Sequence, residues 1–127
     1  MIAKGLRQQV GGSHYLKYRV QPLQVAEDLD LTPVLFCAFK YLVRYKDKNG
    51  LQDLAKAKHC VDLFAEFGKE KTLNFDDPVL ADFFEQFSDE HGKMLYGCLR
   101  LQMDRHFAPQ LHVLIDQAME VMRNGKV

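Results

Sequence analysis

Apolar residues recur at helical spacing on both sides of a short polar segment near residue 48. They are Leu35, Phe39, Leu42 and Val43 before the segment, and Leu51, Leu54, Val61 and Phe64 after it. A three- or four-residue repeat of apolar positions is typical of a helix with one buried face. Asn49-Gly50 supplies a residue that tolerates the left-handed conformation needed to end the first helix. The pattern therefore predicts two helices that fold back on each other as a hairpin.

Prolines and glycines predict where the individual helices begin and end. Pro22 fits the first turn of a helix over residues 22–29, and Thr32-Pro33 predicts the cap and first turn of a helix that runs to about Asp47. The next helix is predicted from Leu51 to Phe67, with Gly68 as its stop.

The second half of the chain shows the same helical spacing. Asp77-Pro78 predicts the cap and first residue of a short buried helix, and a long helical pattern from about Glu90 is expected to be interrupted at Pro109 and to end at Asn124-Gly125. The last apolar stripe consists of Leu111, Leu114, Ile115, Ala118, Met119 and Met122. Such a stripe is either core or a subunit interface, and we expect a homo-oligomer.

The fold class that follows is a small all-α domain built on the central hairpin. We predict three regions: a flexible N-terminal arm over residues 1–12, a core over 13–71, and a C-terminal helical extension over 72–127 that forms the oligomer interface. At 127 residues and 47% hydrophobic content, the chain is large enough to bury a core of its own.

Charge and cysteine usage exclude several classes of function. With 17 basic and 17 acidic residues the chain has no net charge to attract nucleic acid or an anionic membrane, although residues 1–58 are net basic and residues 59–127 net acidic. The three cysteines show no CxxC spacing, so neither a zinc site nor a disulfide framework is expected. No apolar run is long enough for a membrane span, and residues 1–10 lack the apolar core of a signal peptide. We therefore expect a cytoplasmic protein.

The hairpin turn is rich in cations. Lys40 and Arg44 share one helix face, Lys46 and Lys48 follow at the turn, and Lys56 lies in the next helix. Two interpretations stay open at this stage: an anion-binding surface, or a solvated face beside a helix pair.

The neighbouring Tyr41, Tyr45 and Asp53 also have two interpretations each. The tyrosines either pack on the helix or stack on a nucleobase. The carboxylate of Asp53 either pairs with Lys56 at the helix start or accepts a sugar hydroxyl or a proton.

An ordered series of motifs resembles a known family. The series is His14-Tyr15, Gln21-Pro22, Lys40-Tyr41-x-x-Arg44 and Lys48-x-Gly50-x-x-Asp53-Leu54-x-Lys56-Ala57. It is similar to a small phage-encoded family described as a domain of unknown function, which includes the deoxynucleoside monophosphate kinase of short-tailed coliphages, an enzyme without the usual phosphate-binding loop. The resemblance covers about residues 13–67. Members often have a Gly-Asn pair where this chain has Phe36-Cys37.

The resemblance implies a nucleotide site. Lys40, Arg44 and His14 are then the candidate catalytic residues, and the nucleotide is contacted by Tyr15, Gln21, Tyr41, Lys48, Asp53 and Lys56. In this scheme the cations hold phosphates, His14 donates to a phosphate or a base edge, Tyr15 stacks, and Gln21 reads a base edge. Magnesium is expected only together with a nucleotide, and no metal-binding residues are predicted in the chain. The location would be the cytoplasm of an infected cell.

Three functions remain as hypotheses from the sequence. The first is a phosphoryl transfer from a nucleoside triphosphate to a deoxynucleoside monophosphate. The second is a non-catalytic phage protein that sequesters a nucleotide or inhibits a host enzyme. The third is an adaptor whose basic turn meets an acidic protein. The chain has no GxxxxGK[ST], GxGxxG or HExxH motif, so the commonest nucleotide and zinc-protease signatures are absent.

Overall fold

The computed structural model describes residues 18–125, which form six α-helices and no β-strand. The helices are α1 (Pro22–Leu29), α2 (Pro33–Arg44), α3 (Leu51–Phe67), α4 (Pro78–Phe84), α5 (Asp89–Met103) and α6 (Ala108–Asn124). Short 3-10 turns lie at Tyr45–Asp47 and Arg105–Phe107. The predicted all-α class is confirmed.

Local sequence signals set most of the helix ends. Pro22, Pro33 and Pro78 each occupy the first residue of a helix, where the missing N–H has no helical partner to lose. Asp77 caps α4, because its carboxylate accepts a hydrogen bond of 3.0 Å from the N–H of Val79. The predicted bounds of α1 and α3 are confirmed, as is Gly68 after α3.

Three predicted helix signals act differently from expectation. The hydroxyl of Thr32 does not cap α2 but donates to Oε1 of Gln102 at 3.0 Å. The α-helical part of α2 ends at Arg44, and its last turn tightens into a 3-10 turn as far as Asp47. The expected interruption at Pro109 was wrong: the break lies at Asp104, and Pro109 belongs to the first turn of α6, where a proline is tolerated.

Helix α2 lies at the centre of the fold. It packs against α1, α3 and α5, and α6 closes the structure by packing on α3 and α5. Five of its residues are buried with no exposed surface: Leu35, Ala38, Phe39, Leu42 and Val43. Because the apolar side chains of α2 point into this shared core, its polar side chains are confined to the opposite face, towards solvent.

The apolar stripe of α6 is used inside the chain. Leu111 and Ile115 are fully buried, and the rest of the stripe packs on the same core. Part of the stripe is therefore used in packing within the chain, and the other four residues are only partly buried. Homo-oligomerisation through this helix stays a prediction.

The buried amide of Gln102 joins two loops of the fold. Its Oε1 accepts hydrogen bonds from the N–H and hydroxyl of Thr32, at 2.8 and 3.0 Å, and its Nε2 donates to the carbonyl of Lys69 at 2.9 Å. The side chain has no exposed surface, so these bonds satisfy a polar group that burial would otherwise penalise. Gln102 thereby ties the α1–α2 loop to the segment after α3.

None of the helices within residues 18–125 has the length and apolar character needed for a membrane crossing.

Candidate functional site

The two helices of the hairpin run antiparallel in a defined register. Arg44 near the end of α2 contacts Asp53 near the start of α3, and Tyr41 contacts Lys56 one turn further from the bend. Each step along α2 away from the turn is matched by an equal step along α3. These pairs, three residues apart on each helix, therefore lie on the same face of the hairpin.

Arg44 and Asp53 form an ion pair at the base of the turn. Nε and Nη2 of Arg44 donate to the two carboxylate oxygens of Asp53, at 3.2 and 3.3 Å. Asp53 has no exposed side-chain surface, and Arg44 is only 15% exposed. Oδ2 of Asp53 also accepts from the backbone N–H of Asn49 at 3.3 Å, so one carboxylate fixes both the second helix and the turn.

This geometry corrects the expectation for Asp53. Its partner is Arg44 and not Lys56, because burial favours the flat, bidentate guanidinium over a single ammonium group. The carboxylate has no exposed surface, and its predicted contact with a nucleotide stays a prediction.

Three cations surround the ring of Tyr41. Nζ of Lys40 lies 5.0 Å, Cζ of Arg44 4.9 Å and Nζ of Lys56 5.6 Å from the ring centre. All three distances fall within the range of cation–π attraction, which acts most strongly where water is partly excluded. We call Tyr41, Lys40, Arg44 and Lys56 the Tyr41 cluster. The three cations that the sequence singled out on α2 and α3 thus converge on one ring.

The positive charge of this cluster is only partly balanced. Arg44 is paired with Asp53, whereas Lys40 and Lys56 have no carboxylate within ion-pair distance in the described region. Within residues 18–125, Lys56 is exposed and Lys40 half-buried. Two neighbouring cations without anionic partners attract a negatively charged ligand to that point.

The other predicted site residues lie elsewhere in the fold or outside its described part. Lys48 is exposed at the turn between α2 and α3. Gln21 is the N-cap residue of α1, where its backbone N–H donates to Oε1 of Gln24 at 3.0 Å. His14 and Tyr15 lie outside the described residues. The ligand roles of all four stay predictions.

The sequence did not single out His91, which the structure places beside the turn. This α5 residue is 5% exposed, its ring meets Tyr45 edge-on at 5.1 Å, and its Nε2 donates to the carbonyl of Leu42 at 2.6 Å. Burial also raises the pKa of Tyr45. A lone histidine at the start of a helix gives no sequence signal for such a contact, because its partner lies 49 residues away.

A cavity of about 300 Å³ opens next to His91. Its lining residues are Tyr18, Lys46, Asp47, Gln86, Phe87, Ser88 and His91. The hydroxyl of Tyr18 donates to Oδ2 of Asp47 at 3.1 Å. Lys46 of the basic turn therefore lines this cavity, whereas Lys40, Arg44 and Lys56 surround the ring of Tyr41.

The described residues do not offer a protein metal site. Within residues 18–125, no group of three or more His, Cys, Asp or Glu side chains lies close enough together to hold an ion. In the described part of the chain, the carboxylate that contacts the Tyr41 cluster is that of Asp53, and it is already bonded to Arg44. The donor set around the cluster therefore does not fit a resident magnesium ion.

Comparison with known families places a domain of unknown function over the hairpin. Residues 10–62 match the family model described as a protein of unknown function, DUF3310. The matched range contains α1, α2, most of α3 and every member of the Tyr41 cluster. This finding confirms the coarser part of the resemblance, the domain of unknown function. Neither the curated proteins nor the solved structures that were compared gave a match.

Proposed function

We propose that this chain binds nucleotides and that the Tyr41 cluster contacts their phosphate groups. One observation supports the proposal above the others: the ammonium groups of Lys40 and Lys56 converge on one ring without a carboxylate partner among residues 18–125. Their distances to the ring centre, 5.0 and 5.6 Å, place them within about 11 Å of each other. A ligand with more than one negative group can therefore contact both lysines at once.

The reaction that the family resemblance implies is phosphoryl transfer from a nucleoside triphosphate to a deoxynucleoside monophosphate. Catalysis of this kind depends on positioning and on neutralising charge at the transferred group's oxygens. Lys40 and Lys56 supply that charge, and the face of Tyr41 holds the two ammonium groups together. Arg44 acts mainly as a positioning residue, because two of its nitrogens are bonded to Asp53.

A second candidate function is nucleotide binding without chemistry, as in a protein that sequesters a nucleotide. The burial of Asp53 favours it, because a carboxylate bonded to Arg44 and Asn49 does not accept a proton from a substrate hydroxyl. Under the kinase hypothesis that task falls to another group, such as His14.

The test combines a binding measurement with an assay for product. Calorimetry measures binding of dTMP, dGMP and ATP, and chromatography measures diphosphate formed from a monophosphate, ATP and magnesium. The variants Lys40→Ala and Lys56→Ala each remove one charge-assisted contact, which is expected to weaken binding by roughly 10- to 100-fold, since such bonds contribute about 1.5–3 kcal/mol.

Lys58→Ala is the matched control. Lys58 is on the same helix but is paired with Asp116 at 2.7 Å, so its removal is expected to leave binding unchanged. If diphosphate forms and its formation is lost in Lys40→Ala or Lys56→Ala, the kinase hypothesis is supported. Tight nucleotide binding without diphosphate formation supports sequestration. Equal binding by all three variants, or no shift of the unfolding temperature with any nucleotide, overturns the proposal and favours the adaptor hypothesis.

A further inference from the structure

Two half-buried cysteines face each other across the hairpin. Cys37 of α2 and Cys60 of α3 continue the register of Arg44 with Asp53 and of Tyr41 with Lys56, because the two residue numbers of each pair add up to the same total. The Cys37 thiol is near enough to that of Cys60 to raise its pKa, and neither residue takes part in a disulfide. Two thiols at facing positions of packed helices reach bonding distance by side-chain rotation when their Cα atoms lie within about 7 Å of each other.

The third cysteine has a different environment. Cys98 of α5 is fully buried, and burial raises the pKa of its thiol far above the usual range. Burial, and then the neighbouring Cys37, also raises the pKa of Cys60, while the charge of Lys40 lowers it. Cys98 is thus shielded from reagents in solution, whereas Cys37 and Cys60 are partly open to them.

We propose that Cys37 and Cys60 form a dithiol modification site, at which a disulfide oxidant such as glutathione disulfide cross-links α2 to α3. One cysteine, as its thiolate, attacks a sulfur of glutathione disulfide and releases one glutathione thiolate. The second cysteine then attacks the cysteine sulfur of this mixed disulfide, which forms the bond between Cys37 and Cys60 and releases the other glutathione thiolate. The two protons from the cysteine thiols end on the two released glutathione molecules, so the protein loses two electrons and glutathione disulfide gains them.

The raised pKa of Cys60 predicts that this thiol reacts slowly. At neutral pH little of Cys60 is thiolate, which slows the attack of this residue on the oxidant. Because the reduced form gains no stability from a Cys60 thiolate, the disulfide, once formed, is expected to resist reduction. The cross-link would lie one helical turn from Tyr41 and Lys56, and its formation does not depend on the proposed nucleotide binding.

Peptide mapping tests the site directly. The full chain, reduced and then incubated with glutathione disulfide, is alkylated under native conditions and digested with trypsin, which leaves the three cysteines on separate peptides, 20–40, 59–69 and 94–100. We expect peptide 20–40 to be joined to 59–69, two hydrogen atoms lighter than the sum of the two, and dithiothreitol to separate them. Peptide 94–100 should react with the alkylating reagent only after denaturation.

Single substitutions provide the controls. Cys37→Ser and Cys60→Ser should each abolish the cross-link and leave the remaining cysteine as a mixed disulfide with glutathione. Glutathione on both cysteines without a link, a link that involves peptide 94–100, or no reaction in the folded chain while the urea-unfolded chain cross-links would each overturn the proposal. Because this readout contains no nucleotide, its failure and the failure of nucleotide binding are separate results.

Discussion

Replacing Asp53 by alanine tests whether the buried ion pair holds the hairpin together. The substitution removes both hydrogen bonds from Arg44 and the one from the N–H of Asn49. It leaves the guanidinium of Arg44, which is only 15% exposed, without this carboxylate. We therefore expect the loss to come from a poorly hydrated charge as well as from the missing contacts.

The expected loss is about 3 kcal/mol in the free energy of unfolding. Breaking one side of a buried ion pair costs about 3–5 kcal/mol, and the partial exposure of Arg44 places this case at the lower end. Domains of this size are stable by about 5–15 kcal/mol, so the variant should still fold. Its unfolding temperature should fall by roughly 10 °C.

Urea unfolding followed by circular dichroism measures this loss as a lower midpoint. The dependence of the unfolding free energy on urea concentration should stay unchanged. Asp116→Ala is the matched control, because it breaks an exposed pair with Lys58 and should cost less than about 1 kcal/mol. The double variant Arg44→Met, Asp53→Leu should be more stable than Asp53→Ala, since it leaves no charge to hydrate. If Asp53→Ala costs no more than Asp116→Ala, the ion pair does not stabilise the turn and our reasoning is refuted.

Two further predictions concern the amide of Gln102 and the pH dependence of stability. Gln102→Leu should cost about 1–3 kcal/mol in urea unfolding, since it removes the buried partner of the Thr32 N–H and of the Lys69 carbonyl. Gln110→Leu, at an exposed position, should change stability by less than about 0.5 kcal/mol, and equal losses would contradict the prediction. The backbone N–H and then the side chain of His106 lower the pKa of Asp104, so its charge stabilises the fold above the ordinary pKa of an aspartate, and this contribution disappears as the pH falls through the lowered value. Asp104→Asn should therefore flatten the acid side of a plot of unfolding temperature against pH, and an unchanged slope would count against this assignment.

The helix boundaries were the most predictable part of the fold. Three residues mark such boundaries: Pro22 at the start of α1, Gly68 after α3 and Asp77 before α4. Each acts on the backbone of its sequence neighbours, so its effect can be predicted from a few consecutive residues. Pro109 shows where this reasoning needs care. A proline is compatible with the first turn of a helix as well as with a break, and the sequence pattern did not distinguish the two.

The candidate site was predictable in its members but not in their pairing. Spacing placed Lys40 and Arg44 on one face of α2, and the structure adds that both, together with Lys56, surround the ring of Tyr41. The structure also shows that Asp53 pairs with Arg44. This pairing depends on burial and on the planar geometry of the guanidinium. Neither burial nor the register between two helices is visible in a single sequence.

The sequence by itself determined an all-α chain with a basic hairpin, because helical periodicity and helix caps are local properties. Only the tertiary structure decided what each helix face contacts: α6 packs on α3 and α5, and Gln102 bonds to Thr32 across 70 residues. These contacts join residues far apart in the chain. They depend on which helices share the core, and that arrangement minimises the exposed apolar area of the whole chain at once.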